Sequence, residues 1–550
     1  MKKNTRLGIG WATVIVFGFA LGVPGTTKGE SGRDRGSRTG DSAINVAELT
    51  VLDVQQAYRD DQYTAEELVR TYLQRIWQYE GSYNAFTSMN PNAIAQAREI
   101  DRRRRYGEPL GPLAGIPVVI KESMDHVGLP STAGWAPLSS RAAGGVDLFP
   151  SKNSVVVDRL IAAGAIILGK TNIPAFSDDG TRANSSWAGP TYNAVNKRLA
   201  PGASSSGTAT AVAGNFAVLG LAEETGGSIQ NPAAAQSLVG VKPTFALVPT
   251  AGTVPLASST RDVIGPIART VRDAALVMDV LAGYSPEDPK TAAANGRLPP
   301  GGYTARLSET ALSGMRIGLY GPGWRLDALS PETEGLYAQA VEELEIEGAT
   351  VVEDPFAGSG FADLALPGEP YDMRGTESLA YDFQSYLKGL SFDGATVGSI
   401  DGLAAITGIS PFQQDGGPLS WYVDKLAVLA DSLNQPEDVP DLSGFWALRN
   451  QYLSVFDSVM AANDLDALAF PQTFGTVPEL FSADTYPATT ESAINIAGLP
   501  GVVVPAGQYS NGAPFALIFV GPRWSEPALL AFAYDYEQAT QHRIEANLSL

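Results

Sequence analysis

Residues 201–229 read Pro-Gly-Ala-Ser-Ser-Ser-Gly-Thr-Ala-Thr-Ala-Val-Ala-Gly-Asn-Phe-Ala-Val-Leu-Gly-Leu-Ala-Glu-Glu-Thr-Gly-Gly-Ser-Ile. Two loops of small residues flank an uncharged run rich in Ala, Gly and Val. The run 208–218 predicts a helix buried on all sides beneath a sheet, because no face of it offers a charge to water. Small-residue loops are ordinarily linkers or plain turns. These two lie between apolar segments, so their backbone groups must find partners in a dry setting. Glycine lets successive N–H groups approach and point at an anion. The stretch 225–228 therefore suits an oxyanion hole beside a serine nucleophile.

Moving outward, 116–120 is a short apolar strand, 155–163 a helix stopped by Gly164, and 165–168 another strand. Strands alternating with helices imply an α/β fold. Nearer the start, Thr64-Ala-Glu-Glu67 is a capping box, followed by a helical stripe of Leu68, Val69, Tyr72, Leu73 and Ile76. Toward the end, 502–504 and 515–520 flank Asn511-Gly512, a hairpin signal, ahead of a last helix from about Ser525. The basic run 101–105 reads as the solvated end of a helix rather than a nucleic-acid patch. The region 360–440 is Gly-rich, polar and aromatic with weak periodicity, which suits insertions that shape a cleft with Trp421, Tyr422 and Trp446. Neither an internal repeat nor a second domain boundary is evident.

At the N-terminus a cationic start precedes an apolar run at 7–23, the pattern of a secretory signal with Ala20 and Gly22 as the small residues of a cleavage site. The expected organisation is a signal peptide at 1–22, a flexible linker at 23–44 whose Gly, Ser, Thr and charged residues cannot offset the entropy of ordering, and a folded domain at 45–545. An exported address, secreted or periplasmic, follows, with no stable membrane contact once the signal is cleaved; an uncleaved anchor is the alternative that this length of apolar run leaves open.

The 550 residues carry a net charge of -21 with 44% hydrophobic content, so the chain buries a large core under an acidic surface. That charge argues against nucleic acid and anionic membranes as partners and leaves neutral or cationic substrates open. Nothing in the chain fixes an oligomeric state. With no cysteine, disulfides, thiol nucleophiles and thiolate metal sites are excluded. Only His126 and His542 carry imidazoles, too few for a multi-histidine metal centre.

A serine nucleophile needs a base. His542 lies in a polar tail, and His126, behind Met124-Asp125, suits a local hydrogen bond. A G-x-S-x-G elbow is absent, which argues against an α/β-hydrolase. Lys121 ends an apolar strand. If it is buried, a neutral amine is favoured and could act as the base, but composition alone leaves that open.

The motifs Gly115-Ile-Pro-Val-Val-Ile-Lys121-Glu-Ser, 201–207, and Glu224-Thr-Gly-Gly-Ser228-Ile with Asn231-Pro-Ala-Ala234 resemble the amidase signature family. Similarity continues through Leu168-Gly-Lys-Thr-Asn172, Gly240-Val-Lys-Pro-Thr244, Gly265-Pro-Ile-Ala-Arg-Thr270, Gly498-Leu-Pro500 and 521–538. The resemblance implies a single large α/β domain built on a mixed, twisted β-sheet covered by helices on both faces. It implies that Ser228 is the nucleophile of an acyl-enzyme and that Ser204, preceded by a cis peptide, relays protons to Lys121. Ser205 would support this network, and the N–H groups of Thr225, Gly226, Gly227 and Ser228 would hold the oxyanion. The expected reaction is hydrolysis of an amide C–N bond without cofactor or metal. Linear amides, C-terminal peptide amides, aryl acylamides, carbamates and some esters all remain open as substrates. Ala203 replaces the usual glycine before the bridging serine and Gln230 a frequent arginine. Ser206 and Glu224 resemble the peptide amidase-like branch.

Three competing readings remain. An amidotransferase subunit of the same fold, which supplies ammonia for modifying aminoacyl-tRNA, is disfavoured by the export signal and the acidic charge. Ser385-x-x-Lys388 has the spacing of penicillin-recognising enzymes but lacks the K-T-G and S-D-N companions, so a plain helix face is preferred. A non-catalytic binding protein on the same scaffold is the third.

Overall fold

The computed structural model describes residues 44–366 and 371–550. The expected signal at 1–22 and all but the last residue of the expected linker at 23–44 lie outside the described residues. Residues 44–550 form one compact unit.

Among the described residues fourteen strands follow in chain order, beginning with β1 Phe86–Met89, β2 Pro117–Lys121, β3 Phe149–Pro150, β4 Ile166–Thr171, β5 Leu219–Glu224, β6 Val239–Lys242 and β7 Val263–Ala268. The second half contributes β8 Arg316–Leu319, β9 Thr350–Val352, β10 Leu390–Phe392, β11 Ala395–Thr396, β12 Ala467–Pro471, β13 Gly501–Gln508 and β14 Pro514–Val520. Eleven of them build one sheet in the order β1-β4-β2-β5-β7-β6-β13-β14-β12-β8-β9. Pairing is parallel for β4-β2-β5 and for β12-β8-β9, and antiparallel through the centre. The expected single large α/β domain with a mixed, helix-flanked sheet is therefore present.

The buried helix is shorter than its sequence suggests. It spans Ser206–Ala213 and stops where Gly214 caps it and Asn215 turns to a φ of 57°. The chain then re-enters the sheet as β5, so the apolar 216–218 belongs to the strand approach. All eight helical residues are buried, and the fit is close. A Cβ on Gly207 would meet the Ala85 carbonyl oxygen at 2.3 Å, and one on Gly220 the Thr208 methyl at 2.5 Å. Larger residues would hold the helix off the sheet.

The 360–440 region departs from its reading as weakly periodic insertions. It forms helices Leu379–Leu387, Ile400–Thr407, Ser420–Lys425 and Ala427–Ser432, and pairs β10 with β11 and β3 in a three-stranded sheet. Leu379, Phe383 and Leu387 lie one turn apart and enter a second apolar cluster with Trp135, Phe176 and Tyr422. The period is helical, but the helices are too short and too often broken by glycine for it to stand out.

The basic run ends the helix Ala93–Arg105, where Arg102 pairs with Glu99 and Glu108, and Arg104 sits 3.9 Å over the Tyr58 ring. Among the described residues no helix is long and apolar enough to cross a membrane.

Candidate active site

Strands β2 and β5 are parallel neighbours with Ile120 opposite Leu221, so their C-terminal ends emerge at the same edge of the sheet. That edge is where open α/β sheets place ligands. Lys121 is the last residue of β2. Glu224 is the last of β5, and the loop 225–228 follows it. The crossover from β4 to β5 runs through the helix Ser206–Ala213, which delivers Ser204 and Ser205 to the same edge.

Lys121 is fully buried. Its Nζ donates to Ser204 Oγ at 2.7 Å, to the Glu223 carbonyl at 2.9 Å and to Glu223 Oε2 at 2.5 Å. The Ala203–Ser204 peptide is cis. Ser205 Oγ donates to the Glu223 carbonyl at 3.3 Å, while Ser206 Oγ turns away to the Gly202 carbonyl at 2.7 Å.

The loop 225–228 keeps its backbone donors unengaged: among the described residues the N–H groups of Thr225, Gly226, Gly227 and Ser228 donate to no backbone or side-chain acceptor, and the Ser228 hydroxyl makes no hydrogen bond. Ser228 opens onto a cavity of about 400 Å³ together with Thr225 and Gly226. Gly227 has a φ of 95°, and a Cβ there would meet Asn231 Nδ2 at 2.7 Å and Glu491 Oε1 at 2.8 Å, so glycine is required twice over. Glu224 fixes the far end of the loop. Its carboxylate accepts from the N–H groups of Ile229 at 2.7 Å and Gln230 at 3.1 Å, from Gln230 Nε2 at 2.5 Å and from Asn495 Nδ2 at 2.7 Å. Gln230, in the frequent arginine position, thus serves as a neutral tie.

Sequence reasoning missed three groups. Glu223 pairs with Lys121, and its other oxygen accepts from Thr225 Oγ1 at 3.3 Å. Asp262 accepts from the same hydroxyl at 2.6 Å, and burial, with the negative charge of Glu223 next, pushes its carboxyl up to about 7. Arg261 donates from Nε to the Thr225 carbonyl at 3.0 Å, pinning the loop from behind. Glu223 carried a readable signal: two adjacent acids ending an otherwise apolar strand need partners. Asp262 and Arg261 are distant in sequence and reach the site only because β7 pairs with β5, placing Val263 opposite Glu224.

The remaining candidates lie elsewhere. His126 Nδ1 donates locally to the Val127 carbonyl at 2.8 Å, and its imidazole is pushed down by burial. His542 pairs with Glu343 at 2.9 Å. Ser385 is exposed on the helix Leu379–Leu387, and Lys388 is engaged with Glu437 at 2.6 Å. Trp421 and Tyr422 line the cavity beside Ser228, whereas Trp446 stacks near Arg449. Among the described residues no group of three or more His, Asp or Glu is placed to hold a metal ion.

A family model for amidases matches residues 67–363. The chain is 32% identical over 503 residues to a glutamyl-tRNA(Gln) amidotransferase subunit of Thermosynechococcus vestitus, covering 87% of this chain and 95% of that one. It is 29% identical over 522 residues to a probable amidase of Arabidopsis thaliana, covering 91% of each. A crystal structure of peptide amidase from Stenotrophomonas maltophilia superposes with a TM-score of 0.74 at 33% identity, covering 91% of this chain and 99% of that one. Together with the matched stretch, which holds Lys121, both serine loops and the strands that carry them, these similarities establish that the chain belongs to the amidase family.

Proposed function

We propose that this amidase cleaves the C–N bond of a small amide or peptide amide through an acyl-enzyme on Ser228. The observation that carries the reading is the buried contact of Lys121 Nζ with Ser204 Oγ at 2.7 Å, at the same sheet edge as the unengaged N–H groups of 225–228. As substrate enters, Ser228 Oγ attacks the carbonyl carbon. Lys121 first gives a proton to the Glu223 carboxylate beside it, and the Ser228 proton then passes to Ser204, whose own proton passes to the neutral Lys121 amine. The carbonyl oxygen becomes an oxyanion held by the loop N–H groups. Collapse of the tetrahedral adduct breaks the C–N bond, and the relay returns a proton to the departing amine. Water then enters by the same relay and releases the acid, restoring Ser228. Contacts between catalytic groups often tighten only once substrate is bound, which accounts for a resting Ser228 hydroxyl without a partner.

Similarity to the amidotransferase protein supports a second reading, in which the released amine is handed to a partner protein. The net charge of -21 weighs against tRNA as the final acceptor. Export, supported by the pattern of residues 1–22, would also separate the protein from aminoacyl-tRNA. Intact-mass analysis of secreted against cell-retained protein tests export, which fails if residues 1–22 persist on cytoplasmic protein.

The main reading is tested by treating wild type, Ser228→Ala and Lys121→Ala with a fluorophosphonate probe and weighing the intact proteins. One adduct on wild type, absent in Ser228→Ala and slow in Lys121→Ala, is expected. An unlabelled wild type, or a labelled Ser228→Ala, refutes it. Turnover of simple amides by the purified chain alone then separates hydrolysis from a partner-dependent role.

A further inference from the structure

The cavity in front of Ser228 is acidic in a way the reaction does not require. Asp178, Asp179 and Glu491 line it, against a single guanidinium, that of Arg182, among the described lining residues. Asp179 is occupied by its own turn, accepting from the N–H groups of Thr181 at 2.6 Å and Arg182 at 3.2 Å. Asp178 has only its own backbone N–H as a partner among the described residues, and burial, with Asp179 beside it, pushes its carboxyl up to about 8. Glu491 is also pushed up to about 8 by burial, although Arg325 and Arg261 act in the opposite sense. A desolvated carboxylate is costly unless a cation or strong donor faces it. Among the described residues neither a cation nor a side-chain donor faces Asp178.

Two further observations point to what fills the space. Tyr486 is only 6% exposed and lines the same cavity, yet its hydroxyl has no hydrogen-bond partner among the described residues. Glu491 is near enough to raise that phenol further. Tyr371 and Trp421 also line the cavity and meet edge to face with centroids 6.2 Å apart; the Arg261 guanidinium already sits 5.4 Å from the Tyr371 ring centroid, which leaves Trp421 as the ring without a cation over it among the described contacts. Aromatic faces attract a cation through their quadrupole, more strongly when water is excluded. Carboxylates, an unsatisfied phenol oxygen and aromatic walls together form a receptor for an ammonium or guanidinium group.

We infer that the preferred amide substrates carry a positively charged amine or guanidine group, bound between Asp178, Glu491 and Tyr486 against Trp421, while the scissile amide lies at Ser228. This deepens the proposed function and rests on Ser228 being the nucleophile. The net charge of -21 acts in the same direction, drawing cationic solutes toward the molecule.

The test uses the full chain and two matched pairs of amides of equal length. In one pair the acyl part ends in an ammonium or a hydroxyl; in the other the amine part does. In at least one pair, kcat/KM for the ammonium member should exceed that of its hydroxyl partner by about tenfold or more, the effect of one charge-assisted hydrogen bond in a dry site. That ratio should fall by about tenfold in Asp178→Asn or Glu491→Gln. Equal rates in both pairs, a preference for the hydroxyl members, or a ratio unchanged in both variants would overturn the inference. Because either variant could fail to fold, wild type is also challenged directly. Butylammonium should protect Ser228 from the fluorophosphonate at a concentration about tenfold lower than 1-butanol does, and equal protection counts against the inference. Labelling of wild type separates the two levels. If Ser228 labels but charge makes no difference, only the cation preference fails; if Ser228 does not label, the proposed function fails first.

Discussion

Replacing Glu223 by Gln perturbs the site at its most heavily committed point. The Lys121 ammonium has three N–H donors. Ser204 Oγ, the Glu223 carbonyl and Glu223 Oε2 take all three, at 2.7, 2.9 and 2.5 Å. Two opposite charges 2.5 Å apart attract by about 7 kcal/mol at an effective dielectric of ~20. Both side chains are buried, at 0% and 2% exposure, so the desolvation of two ions offsets most of that attraction. The pair therefore contributes little net stability, but loss of one member strands a buried charge at a cost of about 3–5 kcal/mol. Gln preserves shape and one acceptor oxygen while removing the charge. It also removes the nearest group that can take a proton from Lys121 without opening the site to water.

Glu223→Gln should accordingly unfold at lower urea concentration by an amount equivalent to about 3–5 kcal/mol. It should also acylate at least about tenfold more slowly, toward the 10²–10⁴-fold range of general acid–base catalysis. The assays are urea unfolding and the rate at which fluorophosphonate mass appears on Ser228. The double variant Lys121→Met, Glu223→Gln should be more stable than Glu223→Gln alone, since no buried charge remains unpaired. A Glu223→Gln protein that unfolds with wild type and labels at the wild-type rate would refute the reasoning.

Further outcomes follow from the same geometry. Gly227→Ala should lose most labelling, because the new Cβ would lie 2.7 Å from Asn231 Nδ2 on a backbone at φ 95°; circular dichroism would show whether the fold persists. Glu224→Ala removes four hydrogen bonds, to Ile229, Gln230 and Asn495, and should slow acylation and lower thermal stability by several kcal/mol, since the orphaned donors are buried. Ser385→Ala should label as wild type does, since Ser385 is an exposed helix residue. Burial raises Glu80, Asp262 and Glu537 to about 7 and Asp273 to about 6, above the unfolded values of about 4. Between those limits the folded state binds more protons than the unfolded one, so thermal stability should fall as pH rises from about 5 to 8. A midpoint that is flat or rising across this window, in salt high enough to screen surface repulsion, would contradict that account.

Much of this protein is local and was legible in the chain. The run 116–121, the Gly164 stop, the Thr64 capping box and the Asn511-Gly512 hairpin are set by propensity, capping and turn chemistry over a few residues, and each appears where its residues predict. Lys121, Ser204 and the loop 225–228 stand out in the sequence as candidates because each lies in a contiguous motif that resembles the family's. What required the tertiary structure is what depends on strand pairing. Only the β2-β5-β7 order brings Glu223, Asp262 and Arg261 around Lys121 and Thr225, from positions up to 141 residues apart. Whether Lys121 is buried was likewise undecidable from composition, since a lysine ending a strand is solvated unless helices and loops close over it. The acidic cavity draws its walls from 178, 371, 421 and 486–491, segments with no common motif. A motif records groups held together by adjacent backbone, whereas a cavity records which surfaces the packed core leaves facing one another.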